Sequence, residues 1–135
     1  MKKIFSKAER NVLIHIILRK EDIQSERMNI IEDKEPLQLA AMKLPKGRTF
    51  RPHKHIYCEK TSTITQESWV VVQGKVKVIL YDINSEIIAE EILEAGDCSI
   101  TLRGGHTFEI LEDETLVYEH KTGPYLGIEQ DKEFI

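Results

Sequence analysis

The sequence contains little that would assign it to a specialised structural class. Its two cysteines, Cys58 and Cys98, form neither a CxxC pair nor a disulfide framework, so we expect a reduced, cytoplasmic setting. No apolar run approaches the roughly 20 residues that span a bilayer. The basic start and the following VLIHIIL resemble a signal peptide but lack a small-residue cleavage site. We therefore expect no membrane partner and interpret this segment as mature structure.

Positive charge is also scarce. The chain has 19 Lys and Arg residues against 23 Asp and Glu residues, which gives a formal net charge of -4. A nucleic-acid-binding protein needs a clustered basic face, so we expect no nucleic-acid partner. The expected partner is a small-molecule ligand, and a homodimer stays open as an assembly state.

The length and composition are typical of one globular domain. The chain has 135 residues, of which 41% are hydrophobic and 31% charged. These values lie within the ordinary range for a domain with one hydrophobic core. We expect a single domain over residues 1–135, with an N-terminal extension (1–36), a β-barrel core (37–120) and a C-terminal tail (121–135).

Short runs of β-forming residues, separated by turn residues, recur along most of the chain. Such spacing favours an all-β sandwich or barrel. Residues 12–18 fit a buried strand or part of a helix, and residues 21–32 predict a short N-terminal helix. The predicted strands are residues 37–44, 47–55, 87–93, 98–102, 107–111 and 116–120, with a hairpin over residues 67–82 broken at Gln73 and Gly74.

Two histidines in GRTFRPHKH, residues 47–55, are the first candidates for site chemistry. If this segment is a strand, His53 and His55 lie on one face, because side chains alternate with a period of two. Two imidazoles on one face can bind the same metal ion. The alternative is a surface pair on a β edge.

The spacing around these histidines resembles the first motif of the cupin family. The motif begins with a glycine, five residues, a histidine, one residue and a second histidine, which Gly47, His53 and His55 match. It ends with a glutamate, six residues and a glycine, which Glu67 and Gly74 match. The resemblance implies that a glutamate joins the histidines as a ligand. The eleven residues between His55 and Glu67 are more than the family usually has, so Glu59 competes for this role.

Strand parity favours Glu67 over Glu59. Glu67 shares one face of a hydrophobic strand with Trp69 and Val71, whereas Glu59 opens a polar loop. We interpret CEKTSTITQ as a loop insertion before Glu67.

A later segment resembles the second cupin motif. It runs from Gly96 through Leu102 to His106, with leucine where proline is usual and one residue fewer before the histidine. His106 falls where the third histidine ligand belongs, although it could instead be a turn residue. With His53, His55 and Glu67 it would bind one divalent transition metal ion, which could be Fe, Mn, Ni, Co, Zn or Cu rather than Ca or Mg.

The RPHKH, ESWVVVQG and KTGPY segments together resemble WbuC-type cupin-fold metalloproteins, encoded among O-antigen and other surface polysaccharide genes. The resemblance implies a jelly-roll β-barrel, the cupin double-stranded β-helix, with one bound metal and no firmly assigned reaction. The loop before Glu67 and the residue before His106 depart from the pattern.

Three further residues are candidates for substrate binding. Arg51 has the parity of His53 and could bind a carboxylate or phosphate, although a structural ion pair or an outward-turning bulge would also explain it. Tyr118 and His120 alternate in the same way on the last strand, where His120 fits a hydrogen-bonded wall residue better than a fifth ligand.

Two classes of function stay open. As an enzyme, the metal site would act on a sugar or nucleotide-sugar in polysaccharide biosynthesis, as an isomerase or epimerase, or with iron as a dioxygenase. As a binding or regulatory protein, the same site would hold a metal or sugar without turnover. The sequence offers no acid and base pair independent of the proposed ligands, and it assigns no catalytic residue.

The choice between the two glutamates can be tested by substitution. We expect Glu67→Gln to weaken metal binding by about tenfold or more, the scale on which changes close to a metal act, and Glu59→Gln to have little effect. Competition with a chelating dye measures both affinities. A larger loss in Glu59→Gln would show that strand parity is the wrong guide.

Overall fold

The structure is a computed structural model that describes residues 1–135. Antiparallel β-strands make up most of its regular secondary structure, and the all-β class is confirmed. No helix is long and apolar enough to cross a membrane. The helical elements are a 3-10 turn at Lys20–Asp22 and α1 at Ile128–Asp131. The strands are β1 (Lys2–Phe5), β2 (Leu13–Leu18), β3 (Met28–Asn29), β4 (Ala40–Ala41), β5 (Glu67–Gln73), β6 (Lys75–Tyr81), β7 (Ile87–Glu94), β8 (Cys98–Thr101), β9 (Gly105–Ile110) and β10 (Leu116–Lys121).

Two antiparallel sheets enclose the main core. One has five strands in the order β1-β2-β8-β5-β10, and the other has three in the order β7-β6-β9. Alternate residues of β6, namely Val76, Val78 and Leu80, are fully buried and pack with Val71 of β5. This alternation is what a strand shows when one of its faces covers a core.

A second apolar cluster lies on the other face of the five-stranded sheet. Ile16 of β2 and Ile100 of β8 pack there against Ile30 and Ile31. The β3–β4 pair carries this covering segment across the sheet. Both faces of β2 and β8 are therefore buried, which explains the continuous apolar character of residues 12–18.

The predicted N-terminal helix over residues 21–32 is wrong. The chain makes only the 3-10 turn and then extends, with Met28 and Asn29 paired to Ala41 and Ala40. In this extended form the segment reaches across the sheet and buries Ile30 and Ile31. Tertiary packing therefore overrides the helical pattern of the sequence. Residues 1–36, predicted as an N-terminal extension, contribute β1 and β2 to the five-stranded sheet.

The strand expected to carry the histidines is also absent. Residues 42–66 contain no strand, and only Ala40–Ala41 remains of the strand predicted over residues 37–44. Pro45 and Pro52 cannot donate to a ladder, and Gly47 has a positive φ of 84°. No neighbouring strand pairs with this segment.

The predicted hairpin over residues 67–82 consists of two strands in different sheets. β5 pairs with β8 and β10, whereas β6 pairs with β7 and β9. Gly74, with φ of 81°, turns the chain from one sheet into the other, and a β-carbon there would collide with Thr115. The remaining predicted strands, from residue 87 to residue 120, are confirmed as β7 to β10.

His15 on β2 is fully buried beside the core. Its Nδ1 lies 3.1 Å from Thr101 Oγ1, and its Nε2 donates to the Tyr81 carbonyl oxygen at 2.9 Å. Burial lowers the pKa of His15 to about 4, although the hydrogen bond to the Tyr81 carbonyl opposes the shift. The imidazole is therefore neutral in the folded protein at neutral pH.

This buried histidine should make the protein sensitive to mild acid. The pKa of His15 falls from 6.5 to about 4 on folding, so its stabilising contribution is complete above about pH 6.5 and is lost as pH falls toward 4. We expect His15→Gln to be less stable at pH 7.5, and its deficit relative to wild type to shrink at pH 4.5 by up to about 3 kcal/mol.

Urea unfolding at the two pH values measures this difference. His120→Gln is the matched control, because it removes an exposed imidazole and should leave the stability at pH 7.5 close to that of wild type. A deficit in His15→Gln that stays constant between the two pH values would contradict the assignment.

Candidate functional site

Glu67 and His106 meet between the two sheets. Glu67 is the first residue of β5, and His106 lies on β9 opposite Leu80, whose side chain is in the core. Both side chains therefore point inward. His106 Nε2 lies 3.0 Å from Glu67 Oε1, a contact that joins the five-stranded sheet to the three-stranded sheet.

The Glu67 carboxylate is buried, with its side chain 8% exposed. Burial alone would raise the pKa of Glu67, but the hydrogen bond from His106 and the charges of Lys121 and Lys132 outweigh it and lower the pKa. Glu67 is therefore ionised at neutral pH. An ionised carboxylate can only accept hydrogen bonds, so the proton between the two groups belongs to His106 Nε2.

The other ring nitrogen of His106, Nδ1, is buried and has no hydrogen-bond partner. With Nε2 donating to Glu67, a neutral imidazole carries no proton on Nδ1. This tautomer leaves a bare acceptor inside the protein rather than a bare N–H donor. The Phe108 ring, with its centroid 5.3 Å from the imidazole, forms part of the apolar surroundings.

The pair fits a metal ion in one respect and departs from it in another. Two ligands about 2.0–2.2 Å from one ion, at right angles, lie about 3 Å apart, so the observed 3.0 Å separation suits a shared ion. A histidine ligand usually donates its second N–H to an acceptor, which His106 lacks. No three His, Cys, Asp or Glu residues are grouped closely enough to hold a metal.

His53 and His55 form a second, separate pair. Both are exposed on the loop of residues 42–66, with ring centroids 5.5 Å apart in an edge-to-face arrangement. His53 Nδ1 lies 3.1 Å from the Arg51 carbonyl oxygen. The structure thus keeps the two histidines together but away from Glu67 and His106. Glu59, the competing carboxylate, is exposed on the same loop.

The three predicted substrate-binding residues lie outside the space around Glu67. The Arg51 side chain is exposed on the loop and makes no ion pair with an acidic residue. Tyr118 and His120 lie opposite Val70 and Ser68, which places them on the outer face of the large sheet. Tyr118 and His120 therefore do not face the space around Glu67, because Glu119 and Lys121 occupy the inward positions of β10.

Those inward residues, Glu119 and Lys121, were missed in the sequence. Lys121 Nζ lies 3.6 Å from Glu67 Oε2, 3.3 Å from Glu119 Oε1 and 3.8 Å from Asp131 Oδ2. Burial would lower the pKa of Lys121, but the neighbouring carboxylates raise it, so the ammonium stays charged. The pairing of Lys121 with Glu67 across the two strands is the signal that could have identified it.

An aromatic pair lines the wall beside the Glu67–His106 contact. Trp69 stacks on Phe108 with ring centroids 3.8 Å apart and an interplanar angle of 6°. Trp69 Nε1 donates to Glu119 Oε2 at 3.0 Å. Stacking across the two sheets fixes this edge of the core, and the indole hydrogen bond holds Glu119 near Lys121.

The C-terminal tail covers the end of the sandwich next to this site. Thr65 Oγ1 donates to Asp131 Oδ1 at 2.7 Å, which attaches α1 to the start of β5. Ile135 lies so close to Gly105 that a β-carbon there would meet its side chain. The tail thus packs against the start of β9, the strand that carries His106.

Comparisons with known proteins do not extend this description: no protein-family model matches the chain, and searches of curated proteins and of solved structures found no significant match.

Proposed function

We propose that this chain is a metal-binding protein of the cupin type, with a double-stranded β-helix core, that acts on a small molecule in the cytoplasm. The small molecule is a sugar or nucleotide-sugar of polysaccharide biosynthesis, and the reaction is an isomerisation or epimerisation. The observation that carries the proposal is the buried contact of Glu67 with His106, 3.0 Å apart on facing sheets.

The donor set supports one divalent transition metal ion. Imidazole and carboxylate ligands suit Fe, Mn, Ni, Co, Zn or Cu. Glu67 and His106 would hold the ion from the two sheets, and His53 and His55 would complete the set from the loop. Residues 49–65 make no backbone–backbone hydrogen bond, so this part of the loop has no backbone pairing to break when its histidines bind.

The protein groups around the pair would handle the substrate. When bound, the metal would supply Lewis-acid polarisation of a substrate oxygen. Lys121 would donate hydrogen bonds to the same or a neighbouring oxygen, since its ammonium stays protonated. Trp69 and Phe108 would keep water away from one side of the site. Arg51 would bind a phosphate or carboxylate on the loop side.

A non-catalytic metal- or sugar-binding function is the second candidate. The observation behind it is that Glu67 and His106 are engaged with each other, which leaves neither of them free to act as a general base. An iron-dependent dioxygenase is a third candidate, and the identity of the bound metal would distinguish it from the other two. Elemental analysis of protein purified without chelators would favour oxygen chemistry if iron is found, whereas zinc or nickel would not.

The proposed ligand set predicts which histidines determine metal content. We expect His53→Ala, His55→Ala and His106→Ala each to lose most of the bound metal, and with it part of the thermal stability, because metal bound to the folded state contributes to folding free energy. His120→Ala, on the outer face of β10, is the matched control and should keep both. Metal content per chain and melting temperature are the two measurements.

Full metal occupancy in His106→Ala would show that Glu67 and His106 do not form the metal site. Full occupancy in both His53→Ala and His55→Ala would instead limit the ligands to Glu67 and His106, and the cupin-type ligand set would be wrong.

A further inference from the structure

A small recess opens between the end of β10 and α1, next to Glu67. Its cavity volume is about 270 Å³, and Lys121, Thr122, Gly123, Tyr125 and Asp131 line it. Ligand pockets commonly measure about 300–1,000 Å³. The recess lies just below this range, so it suits a small ligand, about the size of one sugar ring. The sequence motifs assign no ligand role to Tyr125 or Asp131.

The recess has a hydrogen-bond donor with unused capacity. The Lys121 ammonium carries three N–H groups, yet its nearest carboxylate oxygen lies 3.3 Å away, on Glu119. Charge-assisted hydrogen bonds are shorter, at about 2.7–2.9 Å. Lys121 is therefore held among acidic groups without a short bond to any of them and can donate to a ligand oxygen.

Asp131 supplies an acceptor on the other side of the recess. Its side chain is only 9% exposed, and its Oδ1 accepts a hydrogen bond from Thr65 at 2.7 Å. The second oxygen, Oδ2, has only the 3.8 Å approach of Lys121. Because Thr65 fixes the carboxylate, Oδ2 is a positioned acceptor for a ligand hydroxyl.

Tyr125 provides an apolar surface beside these polar groups. The residue is 64% exposed, and Lys121 Nζ lies 5.7 Å from the centre of its ring. An exposed aromatic face next to a donor and an acceptor matches a molecule that has both C–H and O–H groups. A pyranose ring offers C–H groups on its face and hydroxyls at its edge.

The local charge argues against an anionic ligand. Three carboxylates, those of Glu67, Glu119 and Asp131, surround the ammonium of Lys121 within 4 Å. The charge of Lys132 also acts on Glu67, so these five groups sum to -1. A carboxylate or phosphate on the ligand would be repelled by this excess negative charge. Hydroxyls and amines would not be.

We propose that this recess binds a polyol without negative charge, a neutral or aminated monosaccharide, whose ring stacks on Tyr125 while Lys121 and Asp131 hold its hydroxyls. The inference rests on the proposed function in taking the ligand to be sugar-like, and it requires no metal. Any phosphate of a larger substrate lies outside the recess.

The test is NMR titration of the chelator-treated full-length protein. The ligands are neutral monosaccharides (hexoses, 6-deoxyhexoses and N-acetylhexosamines), glucosamine, glucuronate and glucose 1-phosphate. We expect at least one uncharged or aminated sugar to shift the amides of residues 121–131. The two anionic sugars should bind about tenfold more weakly than that sugar.

Substitutions at Tyr125 separate stacking from structure. Tyr125→Ala should weaken the best ligand about five- to tenfold, consistent with the loss of one aromatic contact, whereas Tyr125→Phe should keep most of the affinity. Tyr118→Ala removes a similarly exposed tyrosine from the outer face of β10, and this variant should bind the sugar as wild type does. Equal losses in Tyr125→Ala and Tyr118→Ala would overturn the assignment.

Two other results would overturn it as well: no amide shift with any sugar, or tightest binding by an anionic sugar. Metal content reports on the proposed function separately. If a sugar binds at Tyr125 but protein purified without chelators contains no metal and takes up none when it is added, the recess stands and the metal site is wrong. Metal uptake without sugar binding would do the reverse.

Discussion

The hydrogen bond between the Glu67 carboxylate and His106 Nε2 joins the two sheets at the point where the candidate site forms. Glu67 is buried and ionised, and it could not stay so without positive or donating groups beside it. His106 and Lys121 supply them. The inward positions of β5, β9 and β10 near this end are therefore largely polar, whereas those farther along the sandwich, such as Val71 and Val76, are apolar.

This polar end has two regions with different chemistry. Around His106 the groups are suited to a cation, because a carboxylate and an imidazole nitrogen face the same small space. Around Lys121 the groups are suited to hydroxyls, because a charged donor and the Asp131 acceptor flank the exposed ring of Tyr125. The carboxylate of Glu67 belongs to both regions, since one oxygen faces His106 and the other faces Lys121.

The sequence predicted the strands from β5 onward, and β7 to β10 lie close to their expected limits. It missed β1 and left β2 open between strand and helix. It failed at residues 21–32 and 42–55, where long-range packing or its absence decides the conformation. Glu67 shares the inward face of β5 with Val71, as alternation predicted, and its role as a ligand stays a prediction. Parity failed for His53 because no strand forms there, and for Tyr118 because alternation gives two faces without saying which one is covered.

In the proposed metal site, His106 Nε2 would bind the ion in place of its proton, and the tautomer of this one ring tests that proposal most directly. Long-range ¹H–¹⁵N spectra of the imidazole should show the proton on Nε2 in chelator-treated protein, because Glu67 accepts it and Nδ1 has no partner. Saturation with Zn²⁺ should move the proton to Nδ1 and shift the Nε2 resonance to the metal-bound range. A proton that stays on Nε2 in the presence of excess metal would contradict the account.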